Sequence, residues 1–176
     1  MNDLHFIHDQ AHVDLTLKTL RSTGQTTGYL CETFIDPDSG LKWEKYPMDY
    51  NEDGDDEFGL RRIPYPTTEK LVDLAIKSNV VDEVEGAAML LKDQEWNHRV
   101  EFREALIESI ELNWNTMDAN RFSIISGCTE LIVPMNRREI VGKSNNEIDS
   151  DFKYFKNLSI RAKELERRLD LNADHE

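Results

Sequence analysis

Three histidines and an aspartate open the chain at a spacing that suits metal chemistry. In 5-HFIHDQAH-12, His5, His8, Asp9 and His12 stand at i, i+3, i+4 and i+7. On a helix they would share one face, and imidazole with carboxylate suits Zn or Fe. This defines one functional alternative, a metal-dependent hydrolase using the His5/His8/His12 face. The competing reading is an exposed polar face near a chain end. The other histidines, His98 and His175, do not extend the set. With no further ligand group in view, no metal or cofactor is expected.

The second chemically suggestive stretch is 49-DYNEDGDDEFGL-60. Counted from Asp49, oxygen donors stand at positions 1, 3 and 5 and Gly54 at position 6, as in a calcium loop. Position 12 is Leu60, which has no oxygens to complete the coordination. The flanks, Pro47 on one side and 61-RRIPYP-66 on the other, do not read as helices. What remains is Asp49, Glu52, Asp53, Asp55, Asp56 and Glu57, six acids within nine positions. Crowded carboxylates repel each other unless they are solvated or met by cations, and a basic partner supplies cations and is steered by the field. Such an interface also needs apolar anchors, and Tyr46, Tyr50, Phe58 and Tyr65 border the run. Packing the strands onto helices is their alternative role.

Other signatures are missing. There is no GxSxG, GxxxxGK[ST], GxGxxG or HExxH. The pair in 126-SGC-128 has no base specified beside it, and Glu101 and Glu104 with Arg99 and Arg103 read as a solvated, salt-laced helix surface. A non-catalytic protein is the favoured class. Cys31 and Cys128 lack paired metal spacing and read as reduced, buried thiols.

Charge narrows the partner. The 176 residues carry 21 basic and 35 acidic side chains, a formal net of −14. Residues 1–60 hold four basic and thirteen acidic residues, whereas 134–176 hold nine of each. An acidic front half repels nucleic-acid phosphate and anionic membrane, so direct contact with either is not expected. No apolar run approaches a membrane span and 1-MNDLHFIHDQ-10 lacks a secretory pattern, which predicts a cytoplasmic protein.

The elements that must position these groups follow from periodicity. Residues 4–20 favour a helix through Phe6, Val13, Leu17 and Leu20, and 22-STGQTTG-28 breaks it. Segments 28-GYLCETFI-35 and 41-LKWEKY-46 read as a hairpin around 36-DPDSG-40, with Pro47 ending the second strand. Helices are predicted over 67–78, over 82–93 with Asp82 and Glu85 as a capping box, over about 96–112, from near Asp118, and over about 150–171. Phe155, Leu158, Ala162, Leu165 and Leu169 mark the last as docked on its own domain. Short links imply antiparallel neighbours. The expected fold is mainly α (α+β): a helical stack like a small α-solenoid, with an N-terminal β-hairpin. Residues 1–176 form one domain, acidic over 1–60 and helical over 61–176.

Taken together, 28-GYLCETFIDPDSGLKWEKY-46, 81-VDEVEGAAMLLKDQE-95 and 99-RVEFREALIESIE-111 in a small acidic chain without catalytic motifs resemble bacterial immunity proteins, the antidotes of contact-dependent inhibition and other polymorphic toxin systems. The resemblance implies a one-to-one complex with a toxin domain, often a basic nuclease, whose active site the acidic surface covers. It supplies no functional residues of its own. A non-catalytic helical adaptor is the remaining alternative.

Overall fold

The computed structural model describes residues 4–28, 30–49, 57–134 and 141–173. Among these residues five strands, β1 (Phe6–Ile7), β2 (Arg21–Gly28), β3 (Cys31–Ile35), β4 (Lys42–Asp49) and β5 (Glu57–Ile63), form one antiparallel sheet in the order β1-β5-β4-β3-β2. Among the described residues six helices join it: α1 (Gln10–Leu17), α2 (Thr68–Lys77), α3 (Val81–His98), α4 (Arg103–Leu112), α5 (Ala119–Thr129) and α6 (Asn145–Ala173). A 3-10 turn, Trp114–Thr116, follows α4.

The expectation of one hairpin beside an α-solenoid is thereby overturned: the fold is α+β, built on a five-stranded sheet. In a solenoid each helical pair touches only its neighbours. Here α6 returns across α4 and α5, α3 packs on both α2 and α5, and β1 crosses from the far end of the chain onto α3. The helices close around α3 instead of stacking in a row.

Three local expectations fail for identifiable reasons. Residues 4–20 split into β1 and the short α1, because Phe6 and Ile7 are buried on opposite sides of a strand. The polar 22-STGQTTG-28 is not a break but most of β2, exposed at every position, paired to β3 and joined to β4 by the bond from the Thr27 hydroxyl to Glu44. Pro47 does not end β4, which runs on to Asp49. The register extends β4 beyond the start of β3, so the N–H that Pro47 lacks is not needed by β3.

The helices also depart in detail. Thr67 and Asp118 cap α2 and α5 as their side chains predict. The predicted capping box at Asp82 is absent. Helix α3 starts at Val81 and runs unbroken through 93–96 to Arg99, whose left-handed conformation ends it. The exposed surface expected at Arg103 is also overturned. Arg103 is 2% exposed and donates from Nε to both Glu95 oxygens (2.8 and 3.1 Å) and from Nη1 to the Glu130 carbonyl (3.0 Å).

Two apolar cores result. The larger gathers Phe6, Leu71, Ala75, Leu91, Phe102, Leu106, Ile125, Leu158 and Leu165 among the helices. The predicted α6 stripe, Phe155, Leu158, Ala162, Leu165 and Leu169, is buried throughout. A smaller core of Ile7, Val13, Trp43 and Leu60 lies on the opposite face of the sheet, where α1 packs on β5.

Candidate functional site

The polar side chains of the front half converge between the sheet and α3. Alternation along the strands puts Glu44, Tyr46 and Arg61 on the helix-facing side, while Trp43 and Leu60 face the smaller core. Glu44, almost wholly buried, accepts from Arg61 Nε (2.5 Å), from the Tyr65 hydroxyl (2.7 Å) and from the Thr27 hydroxyl. Arg61 reaches Asp93 of α3 at 3.5 Å and lies over two rings, 4.4 Å from the Tyr46 centroid and 4.8 Å from that of Tyr65.

Burial alone would raise the Glu44 carboxyl, but the Thr27 and Tyr65 hydrogen bonds and the Arg61 charge outweigh it and hold it below the usual carboxylate range. The same contact acts oppositely on its donor: burial and the bond to Glu44 push Tyr65 up to about 12. Burial raises Tyr46 as well.

His8 continues this network at the sheet edge. Its Nε2 meets the Tyr46 hydroxyl at 2.5 Å and its Nδ1 meets Glu85 at 3.1 Å. Both ring nitrogens are therefore engaged. Next to it, the first turn of α3 captures the backbone of β1. Glu83 accepts from the amides of His5 and Phe6 (the latter 2.9 Å), and Asp82 from those of His8 and Asp9 (2.8 and 3.2 Å). The carboxylates at 82, 83 and 85 thus seal this edge of the sheet. Sequence reasoning assigned Asp82 and Glu85 to a helix cap. The missed signal is that three acids on one turn exceed what one N-terminus needs.

The histidine face does not form. Helix α1 begins at Gln10, so His12 alone of the three is helical, and His8 points inward on Tyr46 and Glu85. Among the described residues no group of three or more His, Cys, Asp or Glu side chains is gathered to hold a metal ion. Cys31 and Cys128 are partly buried thiols, and burial raises both, Cys128 to about 11.

The expected contact residues fall into three groups. Tyr50, Glu52, Asp53, Asp55 and Asp56 lie outside the described residues. Asp49 ends β4 and Glu57 opens β5, and the register sets the two acids opposite each other at the mouth of that connection. Of the aromatic residues, Tyr46 is buried beneath α3, Phe58 is half-buried with the Lys45 ammonium 3.9 Å over its ring, and Tyr65 is 41% exposed. Tyr65 is thus the most exposed of the three.

Elsewhere, among the described residues, no helix is long and apolar enough to cross a membrane. The chain matches no protein-family model, no curated protein and no solved structure.

Proposed function

We propose that this chain is an immunity protein, a cytoplasmic, non-catalytic inhibitor that binds a cognate toxin domain, a basic nuclease, and covers its active site with an acidic surface. The observation that carries the reading is the pairing of Asp49 with Glu57 at the mouth of a connection that holds four further acids. Carboxylates crowded into so short a run repel each other, and cations from a basic partner relieve that repulsion. The polar groups best suited to chemistry, Glu44, Arg61, His8 and Tyr46, are spent on each other inside the fold. Supporting this, the acidic excess is concentrated in residues 1–60.

The test is binding to the product of the gene immediately upstream, the expected place of a cognate toxin. The complex should be one-to-one, with association slowing roughly tenfold or more from low to physiological salt. Replacing Asp53, Asp55 and Asp56 together by Asn should slow association without changing the fold. Unaltered association and protection in that variant would remove the acidic run from the interface.

A further inference from the structure

Beside the Glu44 network, a cleft of about 160 Å³ opens between the end of β5 and the second half of α3. Arg61 and Tyr65 form one wall, and Leu90, Asp93, Gln94, Asn97 and His98 form the other. Helical period puts Leu90, Asp93, Gln94 and Asn97 at i, i+3, i+4 and i+7, hence on one face of α3. Asn97 and His98 are exposed and leave the rim open to solvent. A cavity of this size takes a ligand of about six heavy atoms, and the open rim admits a longer one.

The cleft sets two opposite charges side by side. Glu44 holds the Arg61 guanidinium by its Nε, and the group lies over the Tyr46 and Tyr65 rings, so it is fixed before any ligand arrives. Its Nη1 stands 3.5 Å from Asp93 Oδ2. A close charge-assisted bond spans about 2.7–2.9 Å, so this long ion pair leaves both groups capacity for a nearer partner. Lys92, the next cation along α3, is paired with Glu130 at 2.7 Å. Asp93 is half-exposed, yet the protein around it desolvates the carboxylate and Arg61 offsets only part of that, so its pKa lies above the usual value.

We propose that this cleft binds a free α-amino acid as its zwitterion, the carboxylate on the Nη edge of Arg61 and the ammonium on Asp93. Such a ligand carries its anion and its cation on one carbon, which suits a donor and an acceptor 3.5 Å apart. A simple anion would be repelled by Asp93 and a simple cation by Arg61. A neutral ligand would leave both charges without a counter-charge in a partly desolvated corner. Leu90, Gln94 and Asn97 bring no charge to the rest of the lining, so an uncharged ligand side chain fits best. This site is separate from the acidic connection and does not depend on the binding function proposed above.

The test titrates the common L-amino acids, one at a time, into the isotope-labelled chain and follows the backbone amides of residues 90–98 by NMR. At least one amino acid with an uncharged side chain should shift them saturably. Its methyl ester lacks the carboxylate and its Nα-acetyl derivative lacks the ammonium, so each should bind roughly tenfold or more weakly. Asp93→Asn should weaken binding by a similar factor with little change in the urea midpoint. Should that variant fail to fold, the two derivatives still decide the matter on the unaltered chain. No saturable shift with any amino acid overturns the proposal. An ester that binds as well as its parent shows a cation site, and an acetyl derivative that does so shows an anion site; either overturns it. Undiminished binding by a folded Asp93→Asn protein places the ligand elsewhere and overturns it too.

Discussion

Gly86, in the middle of α3, offers the sharpest test of how the N-terminal strand is seated. An interior helix Gly→Ala change ordinarily stabilises by about 0.5–1 kcal/mol, because alanine loses less backbone entropy on folding. At Gly86 an added Cβ would stand 2.3 Å from Phe6 Cγ, 2.5 Å from Cδ1 and 2.6 Å from Cβ. Ordinary carbon contacts lie near 3.5–4.0 Å, so the ring would have to retreat by about 1 Å. It has nowhere to go: Phe6 is fully buried and its amide is held by Glu83. Overpacking of this kind costs about 1–3 kcal/mol, and expelling a buried Phe costs about 3–5 kcal/mol. Set against the entropic gain, Gly86→Ala should destabilise by about 2–3 kcal/mol, which for a chain of this length lowers Tm by roughly 5–10 °C. Gly127 in α5 is the internal control, since its added Cβ meets nothing within 4 Å. Gly127→Ala should stabilise by about 0.5–1 kcal/mol. Urea denaturation followed by far-UV circular dichroism reads both. A Gly86→Ala protein more stable than the original would show that Phe6 does not rest on α3.

Two further outcomes follow from the buried charges. Arg103→Met leaves Glu95 buried without its cation and should cost about 3–5 kcal/mol in urea denaturation, while adding Glu95→Leu should recover part of that loss. Glu44 is held below its ordinary value, so the folded state gains stability from its ionisation above the unfolded pKa of 4.5 and loses it as pH falls toward the lower folded pKa. The urea midpoint of Glu44→Gln should therefore depend less steeply on pH in that acid range than the midpoint of the unaltered chain. An equal slope would show that the Thr27–Tyr65–Arg61 arrangement does not bind the ionised form preferentially.

Much of the helical half was legible because apolar period and capping chemistry agree there. Thr67 and Asp118 announce α2 and α5, and the α6 stripe reads directly as a buried face. The sheet was half legible. Strands β3 and β4 carry aromatic and branched residues, whereas β2 is polar on both faces and has no pattern to read. Strand β5 was hidden by Arg61 and Arg62, since consecutive arginines resemble a loop until Glu44 supplies a buried partner for the first. Such pairs are set by long-range contacts that no local window contains. The same limit applies to the site. The acidic run and its bordering aromatics are legible as a candidate contact surface, but nothing local distinguishes buried Tyr46 from exposed Tyr65.

Strand β1 is only two residues long, yet it sends Phe6 into the helical core and Ile7 into the core beneath α1. Its neighbouring amides are meanwhile tied to the first turn of α3. The acidic front and the helical remainder therefore share β1 as a latch. Neither can melt while leaving the other its full interior, and loss of this latch weakens both together. Heat absorption should accordingly rise in one peak, with the chain behaving as one cooperative body despite its uneven distribution of charge.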